Sequence, residues 1–227
     1  MHYAGYARFF FVRSITVVKF ILGEKLEMSQ VFDESGRVTP VTIVRATPNM
    51  VLQVKTQERD GYAAIAVGFG ERKARLIPKP QRGFFAGSGN FRYVREFRAP
   101  TAVSAASFPE KGVAIDVTVF AQGDAVKVSS ISKAKGFQGV VKRYGFHGAP
   151  ATHGTKHAHR QPGSIGGAGG RAGGRVAKGM RMAGRMGGRR ISARNLKIVR
   201  VDPNEHLLEI KGAIPGRRGT LVEIRGV

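Results

Sequence analysis

Short apolar runs separated by turn residues recur along most of the chain. They occupy 37–47, 50–56, 62–69, 114–120 and 125–131, and again 196–201, 207–210 and 221–224. The runs are rich in β-branched residues, and Pro48-Asn49, Gln122-Gly123-Asp124 and Asp202-Pro203-Asn204 lie between them, a pattern typical of strands joined by tight turns. Many short strands at near-regular spacing favour a mainly β fold, an antiparallel barrel or sandwich. Long helical periodicity is missing, and a short helix is predicted near Pro80 to Ala86.

The apolar runs stop between residues 133 and 190, a segment that we call the arm. It holds 16 of the 31 glycines in the chain and only ten large apolar residues. Ordering one residue costs about 1–2 kcal/mol of backbone entropy. The few apolar side chains of the arm can offset little of the total cost of ordering it. The arm is therefore expected to be a long, irregular loop that becomes ordered only against a partner. The strands before residue 132 and after residue 191 are expected to share one barrel, with the arm inserted between them.

Charge identifies the kind of partner. The 227 residues contain 38 Lys and Arg against 15 Asp and Glu, a formal charge of +23. No acidic residue lies between Asp124 and Asp202, whereas 17 Lys and Arg do, so most of the net charge falls on and around the arm. Such an excess repels itself unless a polyanion neutralises it, which indicates nucleic acid or an anionic membrane. A hydrophobic fraction of 42% is still enough for a globular core outside the arm.

Several kinds of chemistry are disfavoured by composition. The chain has no Cys, which excludes a disulfide scaffold, a thiolate zinc site and a cysteine nucleophile. His153, His157 and His159 have spacing that a metal can use, but no carboxylate lies nearby to complete or orient a ligand set. Ser164 lacks an acid to orient a histidine base. We therefore predict no metal, no cofactor, no small-molecule substrate and no enzyme activity.

The first part of the arm, KGFQGVVKRYGFHG (135–148), interleaves cations with aromatic rings. Cations bind phosphates and flat rings accept unstacked bases, so RNA contact is preferred over the alternative, a flexible linker with chance aromatics. The histidines are expected to contact sugar and phosphate. The predicted RNA-binding residues are Lys133, Lys135, Phe137, Lys142, Arg143, Tyr144, Phe146, His147, His153, Lys156, His157, His159, Arg160, Ser164, Arg171, Arg175, Lys178, Arg181, Arg185, Arg189 and Arg190.

In the last part of the arm, cations recur every three or four residues from Arg171 to Arg190. A helix would place them on one or two faces, but each interior glycine costs about 1 kcal/mol there. An extended path along an RNA backbone is therefore predicted, with arginine forks binding phosphates through two hydrogen bonds. The alternative is a solvated basic tail, although a tail seldom returns to a folded domain as this segment does.

Two regions outside the arm leave alternatives open. Residues 9–22 are apolar enough to suggest a signal or anchor, but Arg13 and Lys19 interrupt the run and it is shorter than 18 residues. A first strand from about Ile15, preceded by a short extension, is preferred, and no membrane partner is expected. Near Pro78 and Pro80, the cations Arg72, Lys73, Arg75 and Arg82 either contact RNA or form a solvated face.

Several motifs of the chain, in order and at matching spacing, resemble one family. KGFQGVVKRYGFHG, THG (152–154), HRQPGSIG (159–166) and VAKGMRMAGRMG (176–187) resemble the central extension of the universal large-subunit ribosomal protein three, the L-three family, in its bacterial form. MSQVFDESGRVTPVTIV (28–44), DGYAAIAVGFG (60–70) and IVRVDPNEHLLEIKGAIPG (198–216) are similar to the rest of it. The resemblance covers roughly residues 19–226.

The resemblance implies a specific architecture and role. Residues 19–132 and 191–227 would form a translation-protein-type β-barrel, and 133–190 a loop that penetrates large-subunit (23S-type) rRNA toward the peptidyl transferase region. The family binds this RNA early in assembly, beside neighbouring large-subunit proteins, in the cytoplasm, and without enzyme activity. Residues 1–18 precede the usual start and are either a lineage-specific extension or a start-codon artefact. Gly167 stands where bacterial members often carry a glutamine that can be methylated, so that modification is not expected.

One competing function remains on the sequence alone. A stand-alone RNA chaperone with an Arg/Gly-rich segment has the same charge pattern. It would bind RNA with little sequence preference and exchange quickly, in a pool free of ribosomes. A stoichiometric place in the large subunit is what separates the ribosomal hypothesis from it.

Overall fold

The structure is a computed structural model that describes residues 19–32, 35–98, 108–167 and 174–227. Six of its strands close into an antiparallel barrel in the order β1-β12-β7-β10-β11-β2. They are β1 (Phe20–Phe32), β2 (Val38–Arg45), β7 (Ala125–Ile131), β10 (Arg190–Asp202), β11 (Leu207–Lys211) and β12 (Leu221–Gly226). Closure leaves no free edge among these strands, and it confirms the mainly β, antiparallel barrel predicted from the apolar runs.

A second antiparallel sheet has the order β5-β4-β3-β6. Its strands are β3 (Asn49–Lys55), β4 (Ala64–Glu71), β5 (Phe91–Arg98) and β6 (Ala114–Ile115). The sequence placed all flanking strands in one barrel, but these four have a sheet of their own, and β5 was not predicted at all. The physical reason is that Ala64–Val67 is buried on both sides, so β4 is the centre of a sheet and not a member of the barrel wall.

Strand β1 contributes to two hydrophobic cores. Ile21 points into the barrel interior with Val128, Leu208 and Ile224 around it. Phe20 and Leu22, on the opposite side of the strand, belong to a second core formed with the four-stranded sheet. The uninterrupted apolar sequence at residues 20–22, which looked membrane-like, is explained by this burial on both faces.

A single buried amide joins the two sheets. The side chain of Asn49 accepts a hydrogen bond from the backbone N–H of Leu22 at 2.9 Å and donates to the Leu22 carbonyl at 3.0 Å. It also donates to the Thr47 carbonyl at 2.8 Å. Every polar atom of this fully buried side chain is therefore satisfied, which is what makes a polar residue tolerable there.

The predicted strand 114–120 is largely wrong. Only Ala114–Ile115 is a strand, and Val117–Val119 forms a 3₁₀ turn. The carboxylate of Asp116 accepts a hydrogen bond from the backbone N–H of Val117 at 2.7 Å, and this cap ends the extended conformation. Val117 and Phe120 are still buried, because the turn directs both into the barrel core.

Helices are few and short in the described ranges: α1 (Gln57–Asp60), α2 (Lys79–Phe85) and α3 (Val140–Tyr144). Helix α2 confirms the helix predicted near Pro80. Ile77 and Phe85, before and at the end of α2, are buried with Leu52 in a third small core. No helix in these ranges is both long and apolar enough to cross a bilayer.

The chain divides into two compact units. One contains the barrel and the four-stranded sheet, and we call it the barrel unit. The other comprises Ile131–Ile191 with Pro215–Arg217 and therefore contains the arm. Strands β8 (Phe137–Gln138) and β9 (Gly184–Arg185) form the only sheet among the described residues of this second unit.

Candidate nucleic-acid interface

The two ends of the arm are held together by backbone hydrogen bonds. Phe137 lies opposite Arg185 in the β8–β9 ladder. The ladder is extended by Lys135 N–H to the Met186 carbonyl at 2.8 Å and by Ser132 N–H to the Arg189 carbonyl at 2.9 Å. These bonds join residues far apart in sequence, so the arm leaves and returns as a pair of antiparallel segments.

Glycine is required at two places where the backbone of the arm approaches itself closely. Gly187 has φ +75°, and a Cβ atom there would overlap the carbonyl oxygen of Lys133. Gly148 has φ +76°, and a Cβ atom there would overlap the carbonyl oxygen of His159. Both positions therefore exclude a side chain for conformational and steric reasons together.

Arg143 ties the outgoing segment to the returning one. It lies on α3, which begins after Gly139 and ends at Gly145 in the left-handed conformation. Its Nη1 donates a hydrogen bond to the Met182 carbonyl at 2.6 Å. Sequence reasoning proposed Arg143 as a phosphate contact but did not find this link, because nothing in the local pattern connects residues so far apart.

Two guanidinium groups lie close to the ring of Tyr144. The Arg143 group is 4.9 Å and the Arg181 group 5.7 Å from the centre of its ring. Phe146 follows, with its ring centre 6.2 Å from that of Tyr144. The structure therefore gathers four of the predicted RNA-binding residues into one cluster of cations and rings, which we call the Tyr144 cluster. Cations stacked on rings offer both charge and flat faces to a nucleotide.

Most of the predicted RNA-binding residues are exposed on the surface of the arm. Within its described part, Val140 is the one fully buried hydrophobic side chain. Phe137 is 73% exposed. Arg143, Phe146 and His159 are half-buried, and Arg171 lies outside the described residues. The exposed residues are Lys133, Lys135, Phe137, Lys142, Tyr144, His147, His153, Lys156, His157, Arg160, Ser164, Arg175, Lys178, Arg181, Arg185, Arg189 and Arg190.

The electrostatics of the arm follow from its sequence. It contains no Asp or Glu, so no cation of the arm is neutralised by another residue of the arm. Apart from the half-buried Arg143, the described cations of the arm are exposed, and like charges this close in sequence repel one another. A polyanion bound to the arm would reduce that repulsion.

His153 and His159 of the arm lie in local turns. Among the described residues, no group of three or more His, Asp or Glu side chains is placed to hold an ion. His153 has φ +58°, and Ala158–Arg160 forms a 3₁₀ turn in which His159 is half-buried. Ser164 uses its hydroxyl oxygen to accept from the Gly166 N–H at 3.4 Å. These contacts belong to local turns.

Comparison with known proteins gives a consistent result. The family model described as "Ribosomal protein L3" matches residues 102–212. "Large ribosomal subunit protein uL3" of Acidothermus cellulolyticus is 49% identical over 210 residues, covering 92% of each chain. The proteins of the same name from Carboxydothermus hydrogenoformans and Geobacillus thermodenitrificans are each 46% identical. The matched region covers 96% of each of these proteins, and 91% and 92% of this chain. The chain belongs to the ribosomal protein L3 family.

Membership in the ribosomal protein L3 family confirms the resemblance drawn from the motifs. Members of this family are structural ribosomal proteins and not enzymes, and they work in the ribosome, in the cytoplasm. The high coverage of the relatives extends the similarity across both the barrel unit and the arm. The chain is therefore a structural constituent of the large ribosomal subunit.

Proposed function

We propose that the arm, residues 133–190, penetrates folded large-subunit rRNA, supports early assembly near the 3′ part of that RNA, and stabilises RNA near the peptidyl transferase region. The observation that carries this proposal is an acid-free arm with many exposed cations and a single fully buried hydrophobic side chain in its described part. Neighbouring large-subunit proteins are the other expected partners.

The proposed mechanism is charge neutralisation without chemistry. Folded RNA brings phosphates close together, and arginine side chains between them reduce their repulsion. The β8–β9 ladder and the Arg143–Met182 hydrogen bond support this role, since they hold the outgoing and returning segments of the arm together. The Tyr144 cluster is the proposed place for contact with an unstacked base.

Site-directed cleavage tests the position of the arm. The chain has no cysteine, so a single Ser164→Cys substitution provides a unique attachment point for a tethered iron chelate. In reconstituted subunits, hydroxyl radicals from this position are expected to cut rRNA around the peptidyl transferase region. Thr118→Cys, on an exposed turn of the barrel unit, is the matched control and is expected to give a different pattern. Identical patterns, or no cuts above background from Ser164→Cys, contradict the proposal.

Salt dependence and sedimentation test the mode of binding. If about 8 phosphates are neutralised, the log–log slope of affinity against salt is roughly −6 to −7. A slope near zero contradicts phosphate neutralisation. The chaperone hypothesis instead predicts a ribosome-free pool, so stoichiometric retention in large subunits after a moderate salt wash excludes it.

A further inference from the structure

A basic segment of the barrel unit lies outside the arm. Residues 72–92, which we call the β4–β5 segment, comprise the connection between these two strands and the first two residues of β5. They include six Lys and Arg and no Asp or Glu. The cations are Arg72, Lys73, Arg75, Lys79, Arg82 and Arg92, and each of these residues is exposed.

The backbone that carries these cations is fixed. The N–H of Arg72 donates to the Asn90 carbonyl at 3.1 Å, which continues the β4–β5 pairing beyond Glu71 and Phe91. Ile77 and Phe85 are 2% and 3% exposed and anchor the segment in the third core. Unlike the arm, this segment therefore holds its charges on a prebuilt frame.

Among the described residues, the cations of the β4–β5 segment have no carboxylate partner. In the part of the chain that the structure describes, none of the six has a carboxylate oxygen within 4.0 Å. Arg82 donates from Nε to the Ile77 carbonyl at 2.9 Å, and Arg92 stacks 5.0 Å from the ring centre of Tyr93. Within the described ranges, the exposed side chains of Arg72, Lys73, Arg75 and Lys79 make no hydrogen bond, ion pair or ring contact.

This uncompensated charge is not general on the barrel unit. Lys19 pairs with Asp124 at 2.5 Å, Arg218 with Glu27 at 2.6 Å and Arg95 with Glu223 at 3.3 Å. Arg95 and Arg92 lie on the same strand, β5, yet only Arg95 has an acidic partner. Elsewhere on the barrel unit the sequence often supplies a counter-charge, whereas a run of 21 residues here supplies none.

We propose that the β4–β5 segment is a second RNA-binding surface, which contacts phosphates of folded large-subunit rRNA independently of the arm. The inference rests on the proposed function in taking rRNA as the polyanion. Because the backbone that carries these cations is already ordered, binding costs little backbone entropy, which favours a rigid, closely charged partner. Phosphates of the RNA backbone are the expected contacts, because the exposed side chains of this surface are mainly cations and Arg92 already lies over the ring of Tyr93.

A charge-removal variant tests this surface. Arg72→Gln, Lys73→Gln, Arg75→Gln and Lys79→Gln, combined in the full chain, remove four cations without touching the buried anchors. If each neutralises one phosphate, the salt slope for binding purified large-subunit rRNA becomes less negative by about 3. The pair Arg75→Gln/Lys79→Gln is the milder version, with an expected change of about 1.5. It keeps the test valid if the fourfold variant unfolds.

Two controls separate this proposal from that for the arm. Lys127→Gln/Lys211→Gln removes two barrel-unit cations outside the segment and is expected to leave the slope unchanged. Arg175→Gln/Lys178→Gln/Arg181→Gln/Arg185→Gln removes four cations from the arm and is expected to act additively with the segment variant. If only the arm variant makes the salt slope less negative, the second surface is overturned and the proposed function stands. If only the segment variant does so, the proposed function is overturned and the second surface stands.

A different class of partner has its own outcome. An acidic protein segment would also bind exposed cations, and polyglutamate serves as its probe. If the fourfold variant loses polyglutamate binding but binds rRNA with the wild-type slope, the RNA proposal is overturned. The variant Arg72→Lys/Arg75→Lys retains both positive charges. It is expected to keep the wild-type salt slope, because phosphate neutralisation needs the charge and not the guanidinium fork.

Discussion

Arg143 donates a hydrogen bond from Nη1 to the Met182 carbonyl oxygen, 2.6 Å away and 39 residues later in the chain. The same guanidinium stacks on Tyr144. One side chain thus closes the arm across its two segments and completes a cluster proposed to contact RNA. Contacts made by its own cations therefore contribute to the fold of the arm.

Arg143→Ala is expected to weaken rRNA binding about tenfold more than Arg175→Ala. Both remove one charge, but only the first removes the link to Met182, and a hydrogen bond from a charged donor contributes about 1.5 kcal/mol. Arg143→Lys is expected to fall between wild type and Arg143→Ala, since lysine keeps the charge without the planar fork. Filter-binding titrations at fixed salt measure all three. Equal losses for the Arg143 and Arg175 alanine variants would show that the link is unimportant.

Gly187→Ala is expected to exclude the chain from the large subunit in competition with wild type. The methyl group would overlap the Lys133 carbonyl oxygen, and a left-handed conformation costs a non-glycine residue about 1–2 kcal/mol. Gly139→Ala is the control, because its added Cβ meets no atom within 4 Å and its φ is −68°. Mass spectrometry of reconstituted subunits gives the ratio of variant to wild type. Equal incorporation of Gly187→Ala would refute the close approach.

Asn49→Leu is expected to lower the free energy of unfolding of the barrel unit by about 3 kcal/mol. The substitution leaves the N–H and carbonyl of Leu22 buried without a partner, and such groups each cost about 1–3 kcal/mol. Urea denaturation followed by circular dichroism measures the change. Gln53→Leu, at a half-buried position of the same strand, is the control. An unchanged midpoint for Asn49→Leu would mean that water replaces the amide.

Asp124 is expected to make the barrel unit sensitive to acid. The backbone N–H of Ala121 and the ammonium of Lys19 hold the pKa of Asp124 below its ordinary value of 3.8. A carboxyl group whose pKa is lower in the folded protein than in the unfolded chain stabilises the fold at pH values above the unfolded pKa. This stabilisation is lost as the pH falls through the folded pKa. Asp124→Asn should therefore lower the urea midpoint at pH 7, and the difference from wild type should shrink below about pH 4.

The control for this prediction is Glu110→Gln. Glu110 is exposed and takes part in no ion pair among the described residues, so its replacement is expected to leave the midpoint unchanged at both pH values. If the urea midpoints of Asp124→Asn and wild type differ by the same amount from pH 7 to pH 3, ionisation of Asp124 is excluded as the cause of the difference.

The sequence predicted the barrel strands and the arm for separate physical reasons. Strand β7 was found with its observed bounds because the buried Val126 and Val128 alternate with Ala125 and Lys127, and because turn residues precede the strand. The arm was found because its charge and glycine content rule out a core. Strand β5 was missed because three of its eight residues are Arg, and it forms only through pairing with β4.

The geometry of the Tyr144 cluster could not be predicted. Its cations and rings were identified as candidates from composition, but the partner of Arg143 is a backbone carbonyl, and any residue type has one. Likewise, the turn at Asp116 overrode a local preference for strand through a single side-chain cap. In both places a contact that leaves no periodic signal determined the structure.

Strand β1 has one consequence for the way the barrel unit melts. Because Ile21 is packed in one core while Phe20 and Leu22 are packed in the other, neither sheet can be dismantled without exposing apolar surface that belongs to its neighbour. Heating should consequently give one cooperative transition for the barrel and the four-stranded sheet, reported together by probes placed in either.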